Sequence, residues 1–120
     1  MSKDTTIMTS VVFARLGGWS LAAAIVVLSV VPTTLRPETG LPHGFEHFAI
    51  YWATGVAFAV GYSLTPLLAT VLVVFSGAVE MLQLFIPGRH ARLSDFIVDG
   101  LASVIGLMTV WLVTQMRERA

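Results

Sequence analysis

The sequence contains few charged residues and no cysteine. Charged side chains make up 12% of its 120 residues, about half of the roughly 25% found in soluble domains. Without cysteine the chain has no disulfide, no thiolate metal site and no cysteine nucleophile. Basic and acidic residues number 7 each, so the net charge is zero. A neutral chain gives no indication of a nucleic-acid partner.

Apolar residues are correspondingly abundant. They make up 56% of the chain, against about 45–50% in soluble proteins, and they form four long runs. This composition predicts an all-α membrane protein with four transmembrane helices in an antiparallel bundle, forming one domain over residues 1–120. Because a helix needs about 20 apolar residues to cross a bilayer, we expect the helices at residues 11–32, 43–62, 66–86 and 94–115.

Proline and glycine mark the ends of these runs. Pro32 closes the first run, and Pro42 suits the first turn of the second helix. The turn at 61–66 is so short that helices two and three should form an antiparallel hairpin. The Pro87-Gly88 pair ends the third helix, and Ser94 is expected to cap the fourth.

Four spans would put both termini on the same side of the membrane. We expect residues 1–10 to be a short polar start, and Arg15 to reach from the first helix to the interface. The distribution of Lys and Arg favours cytoplasmic termini by a narrow margin. Lys3, Arg15, Arg117 and Arg119 lie on the terminal side, and Arg36, Arg89 and Arg92 lie on the other.

The ionisable residues are concentrated between residues 80 and 100. Glu80 and Gln83 are three residues apart and Asp95 and Asp99 are four apart, so each pair lies on one helix face. Charged groups at membrane depth are costly and must face protein or water. The small residues beside them would let helices three and four approach closely: Gly77, Ala78, Gly100, Ala102, Ser103 and Gly106.

A third polar row, His47 and Tyr51, lies on helix two. A rise of about 1.5 Å per residue places His47, Glu80 and Asp99 at similar depths below the loops. We therefore expect a polar chamber that opens away from the termini. Its predicted walls are His47, Tyr51, Glu80, Gln83, Asp95 and Asp99, with Arg89, Arg92 and Ser94 near its mouth.

The same residues allow other interpretations. The acidic groups could pair with Arg89, Arg92 and His47 and lock the helices in register. Residues 43–47 match H-x-x-E-H, an inverted zinc-hydrolase pattern, and His47, Glu80 and Asp99 could together hold a metal. His47 could also be an axial ligand to a pigment or haem, although no C-x-x-C-H motif supports haem attachment. No metal or cofactor is expected.

Several of these residues resemble a known family. His47-Phe48, Tyr51, Glu80, Gln83, Pro87-Gly88-Arg89, Ser94-Asp95 and Gly106, in this order, resemble the VanZ-like family, small integral membrane proteins related to a teicoplanin-resistance protein. The resemblance implies a four-helix protein of the bacterial inner membrane. Many members have Asp-Lys where this chain has His43-Gly44, and Asn where it has Asp99. Having Asp99 in place of that Asn makes the expected chamber more acidic.

The chamber predicts binding of a polar envelope ligand, namely a lipid head group or a lipophilic glycopeptide. Arg89 and Arg92 would contact phosphate or carboxylate, and His47, Glu80 and Asp95 would hold or protonate the ligand. The alternative function is a non-catalytic accessory subunit of a larger membrane protein complex. The expected partners are therefore membrane lipid and other membrane subunits, and no enzymatic reaction is predicted.

Overall fold

The computed structural model describes residues 3–31, 43–86 and 93–119. The secondary structure in these ranges is entirely α-helical, as the composition predicts. The helices are α1 (Lys3–Val30), α2 (His43–Gly61), α3 (Pro66–Gln83) and α4 (Leu93–Arg119).

Three of the described helices, α1, α3 and α4, are long and apolar enough to cross a membrane. Many of their large apolar side chains face outward; Phe13 is 70% exposed and Phe85 is 81% exposed. Such a surface is unfavourable in water and suits a lipid environment. Helix α2, with 19 residues, is not in this group, and two histidines and a glutamate fall within its first five residues.

The outer ends of α1 and α4 are helical, so both helices extend beyond their predicted bounds of residue 11 and residue 115. Helix α1 starts at residue 3 rather than 11, and the hydroxyls of Thr9 and Ser10 donate to the carbonyls of Thr5 and Thr6 at 2.9 and 3.0 Å. Asp4 lies in its first turn, where a negative charge interacts favourably with the helix dipole. Helix α4 continues to residue 119 because Arg117 and Arg119 suit its negative end.

The inner boundaries also differ from the predicted ones. Helix α3 ends at residue 83 rather than 86, where the backbone tightens into i→i+3 hydrogen bonds such as Ile86 N to Gln83 O at 3.2 Å. Helix α4 begins at Leu93, so Ser94 lies inside the helix and the N-cap prediction is wrong. Thr65 does cap α3, accepting from Leu68 N at 3.2 Å, with proline in the first turn.

Helices α2 and α4 form the central pair. Helix α2 packs most extensively against α4 and next against α1, and α3 packs chiefly against α4. Contacts between α2 and α4 advance in the same direction along both, from His47 with Asp99 to Trp52 with Thr109, so the two run parallel. The expected hairpin partners α2 and α3 scarcely touch, although a short turn joins them.

Glycine explains why α2 and α4 lie so close. A Cβ atom added at Gly55 would overlap the backbone carbonyl of Ser103, and one at Gly106 would overlap that of Trp52. Small residues allow helix backbones to approach within a membrane. Gly106 and Ser103 therefore bring α4 against α2, not against α3 as predicted. Gly100 does face α3, where an added Cβ would lie 3.6 Å from Ser76 Oγ.

We expect Gly106→Ala to destabilise the protein by about 1–3 kcal/mol, since an added methyl group would meet backbone atoms that cannot rotate away. Gly17→Ala is the matched control, because a Cβ at Gly17 would meet nothing within 4 Å. Its stability should be unchanged or rise by up to about 1 kcal/mol through better helix propensity. Thermal unfolding in detergent compares the two, and equal midpoints would contradict the close crossing.

Candidate functional site

The polar residues that the sequence predicts on three helices meet at one end of the bundle. This is the end where α2 and α4 begin and α3 finishes. Asp99 lies about 9 Å along α4 from its first residue, and Glu80 lies in the last turn of α3. We call the set His47, Tyr51, Glu80, Gln83 and Asp99 the polar cluster.

The contact between His47 and Asp99 joins α2 to α4. A hydrogen bond of 3.1 Å links His47 Nδ1 and Asp99 Oδ1. The His47 side chain is 13% exposed and that of Asp99 is completely buried. Asp99 is also held from its own helix, since Ser103 Oγ donates to its backbone carbonyl at 3.1 Å. One of the pairs expected in the helix-lock interpretation is therefore present.

Tyr51 lies at the centre of the polar cluster. Its ring stacks on that of His47 at 6.4 Å and 27°, and lies 6.5 Å from the ring of Phe75 on α3. Tyr51 shares a core cluster with Val79 of α3 and Ala102 of α4, so the helix segments that carry Glu80 and Asp99 both flank it. Because Tyr51 is only 2% exposed, this convergence occurs inside the protein.

The hydroxyl oxygen of Tyr51 and Oδ2 of Asp99 are buried and have no hydrogen-bond partner among the described residues. An unsatisfied buried polar group costs about 1–3 kcal/mol, and proteins normally satisfy such groups with protein atoms, water or a ligand. The cluster therefore retains one donor and one acceptor that the described protein atoms do not use.

Glu80 connects the cluster to the surface. Both Glu80 and Gln83 are buried, at 5% exposure each. Glu80 also lines a groove of about 580 Å³ between α3 and α4. The other groove residues are mostly apolar: Val74, Gly77, Ala78, Met81, Leu84, Leu93 and Phe96. Glu80 thus belongs to the buried polar cluster and also contributes to the lining of an apolar groove.

The remaining predicted site residues do not share this position. Asp95 is half-buried one turn before Asp99, and Ser94 is exposed at the start of α4. Arg89 and Arg92 lie outside the described residues, so their expected place at the mouth stays a prediction. The structure brings together His47, Tyr51, Glu80 and Asp99, with Gln83 buried one turn after Glu80 on α3.

The described part of the chain contains no group of three or more His, Cys, Asp or Glu residues that could hold a metal ion. His47, Glu80 and Asp99 are therefore not arranged as metal ligands. The H-x-x-E-H interpretation depends on His43, of which only the helical backbone is described, so it stays a prediction.

Sequence reasoning missed a second contact network, at the opposite end of α2. Instead of only extending to the interface, Arg15 donates through Nε to the carbonyl of Gly61 at 2.7 Å, and its guanidinium lies 4.5 Å from the ring centre of Tyr62. Trp19 Nε1 donates to the Tyr62 hydroxyl at 2.9 Å. An arginine inside an apolar run was the available signal, but its partners lie more than forty residues away.

Comparison with protein-family models, curated proteins and solved structures finds no match to this chain. The resemblance to the VanZ-like family consequently depends on the motif residues themselves. Four of them, His47, Tyr51, Glu80 and Gln83, belong to the polar cluster.

A double-mutant cycle should detect the contact between His47 and Asp99. Replacing either residue by alanine removes the same hydrogen bond, so the two losses of stability should couple by about 0.5–3 kcal/mol. Asp95→Ala is the matched control, with the same side chain one turn earlier on α4. Its effect should add to that of His47→Ala within about 0.5 kcal/mol. Unfolding in detergent measures both coupling energies. If His47 coupled to Asp95 as strongly as to Asp99, the pairing of His47 with Asp99 would be contradicted.

Tyr51→Phe should leave stability unchanged or raise it, because it removes a buried hydroxyl group that has no described partner. Tyr62→Phe is the control, since its hydroxyl accepts a hydrogen bond from Trp19; we expect it to cost about 0.5–1.5 kcal/mol. Thermal unfolding of the two variants gives the comparison. A loss for Tyr51→Phe as large as that for Tyr62→Phe would show that its hydroxyl is already satisfied in the ligand-free protein.

Proposed function

We propose that this chain is a VanZ-like protein of the bacterial inner membrane that binds the polar end of an envelope amphiphile, either a lipid head group or a lipophilic glycopeptide. The observation that carries the proposal is the position of Glu80, which belongs both to the buried polar cluster and to the groove between α3 and α4. Four helices cross the membrane, both termini are cytoplasmic, and the polar cluster lies towards the non-cytoplasmic side.

Helix α2 crosses the membrane as the shielded central helix. Its 19 residues correspond to about 28 Å of helix, close to the roughly 30 Å hydrocarbon thickness of a bilayer. Polar residues are tolerated at that depth when they face protein. Tyr51 is almost fully buried and His47 pairs with Asp99, so packing against neighbouring helices compensates for the low hydropathy of α2.

The chemistry of the polar cluster favours a ligand that donates hydrogen bonds. The cluster contains two carboxyl groups and one imidazole, and the imidazole already contacts Asp99. Carboxylates accept hydrogen bonds and bind most strongly to charged donors. An amine, amide or hydroxyl group of a head group or glycopeptide therefore suits Glu80 and Asp99. The phosphate or carboxylate contact expected of Arg89 and Arg92 would lie further out.

The groove between α3 and α4 binds the apolar part of the ligand. Its volume of about 580 Å³ lies within the range of about 300–1,000 Å³ typical of small-molecule sites. The Phe96 ring lies over Gly77, where an added Cβ would be 3.3 Å from Cε1. An amphiphile entering from the bilayer would place its chain along this apolar wall and its polar group at Glu80.

The second candidate function is a non-catalytic subunit of a larger membrane complex. The hydrogen bond between His47 and Asp99 favours this candidate, because a polar pair across α2 and α4 also fixes helix register. Purification in mild detergent distinguishes the two functions. A stoichiometric protein partner supports the subunit function, and a chain that purifies alone while binding an amphiphile supports the proposed one.

Glu80→Gln should weaken ligand binding strongly while leaving the protein in the membrane. The substitution keeps the shape of the side chain and removes its charge, and losing one charge-assisted hydrogen bond should weaken binding roughly tenfold or more. The measurements are native mass spectrometry with phosphatidylethanolamine and with teicoplanin, and the teicoplanin susceptibility of cells that express each variant.

Glu118→Gln is the matched control, because Glu118 is exposed near the far end of α4. It should behave as the unmodified protein in every assay. If Glu80→Gln retains wild-type binding and susceptibility at equal membrane abundance, Glu80 is not a ligand contact and the proposal fails.

A further inference from the structure

A second groove lies at the opposite end of the bundle from the polar cluster. It has a volume of about 390 Å³ and lies between α1, the end of α2 and the first half of α3. The groove exists because α2 and α3 scarcely pack against each other. Its main apolar walls are Trp19, Phe58, Tyr62, Leu68, Leu72 and Phe75.

Arg15 is held at the edge of this groove. Its Nε donates to the Gly61 carbonyl at 2.7 Å, and its guanidinium stacks at 4.5 Å on the ring of Tyr62, which lines the groove. Trp19, one turn further along α1, also lines the groove and donates to the Tyr62 hydroxyl. These contacts fix the position of the positive charge relative to the apolar walls.

The terminal nitrogens of Arg15 remain available. Within the described ranges its side-chain hydrogen bond uses Nε alone, and no carboxylate forms an ion pair with it. Ser63 and Thr65 bring hydroxyl groups to the same groove, and the positive end of the α3 dipole lies beside them. An arginine presents its terminal N–H groups in a geometry that matches phosphate oxygens.

We propose that this groove binds one anionic phospholipid, with an acyl chain along Phe58, Leu72 and Phe75 and the phosphate on Arg15. The positive charge of Arg15 determines which class of lipid the groove prefers. An apolar groove that faces the bilayer suits any acyl chain, whereas an arginine at its edge with no counter-ion among the described residues favours a negatively charged head group. This lipid site is separate from the polar cluster and does not depend on the function proposed for it.

Fluorescence quenching of Trp19 tests the proposal. In the full-length protein carrying Trp52→Phe and Trp111→Phe, Trp19 is the remaining tryptophan. Phosphatidylglycerol with brominated acyl chains should quench it at about fivefold lower concentration than brominated phosphatidylcholine, the preference expected from one arginine near the head group. Raising the salt concentration should reduce that preference by screening the charge. Equal quenching by the two lipids at low salt would overturn the proposal.

Matched variants distinguish the contribution of the head group to lipid binding from that of the acyl chain. Arg15→Gln should bring phosphatidylglycerol quenching to the phosphatidylcholine level, and Arg117→Gln, on the exposed last turn of α4, should change nothing. Val71→Phe fills the groove and should weaken quenching by both lipids. Val113→Phe is its control, because Val113 is also an exposed valine, on α4, and does not line the groove.

Three further outcomes would contradict the proposal. They are an unchanged preference in a folded Arg15→Gln variant, unchanged quenching in Val71→Phe, and relief of quenching by millimolar inorganic phosphate, which would assign the site to free phosphate. If Arg15→Gln does not fold, the salt dependence in the protein with Arg15 present decides instead: a preference for phosphatidylglycerol that is insensitive to salt would exclude a role for the charge.

Discussion

The structure depends on the close parallel crossing of α2 and α4. Within a membrane, helices gain little from hydrophobic burial because lipid is equally apolar, so backbone approach and van der Waals packing hold them together. Gly55 and Gly106 allow that approach, because a side chain at either position would overlap the backbone of the other helix. The polar pair of His47 and Asp99 lies along the same crossing. This crossing therefore also buries groups that lipid would not tolerate.

The central crossing determines what happens at each end of the bundle. At one end, α3 packs on α4 and places the buried Glu80 next to the core that Tyr51 shares with Val79 and Ala102, which creates the polar cluster. At the other end, α3 stays apart from α2 and leaves an apolar groove beside Arg15. Phe75 contributes to both regions, since its ring faces Tyr51 and also lines the groove. One helix arrangement thus produces two chemically different surfaces.

The polar cluster is more acidic and more enclosed than a simple helix lock requires. A lock is complete when every buried group is paired, because an unpaired one is costly. The Tyr51 hydroxyl and Asp99 Oδ2 lack partners among the described residues, and Glu80 also lines the apolar groove between α3 and α4. These features favour binding of an amphiphile, while the pair of His47 and Asp99 gives the cluster its rigidity.

The sequence alone determined the helical class, the membrane-compatible composition and the helix faces that carry Glu80, Gln83 and Asp99, because all three depend on local periodicity and hydropathy. It also indicated that His47 and Tyr51 would join them, since charged groups at membrane depth must meet protein. Only the tertiary structure decided which helices pack together. Neighbours in sequence, α2 and α3, were expected to pair, but glycine positions on α2 and α4 made a closer contact possible. The groove beside Arg15 results from this packing of α2 against α4, and no local sequence pattern predicts it.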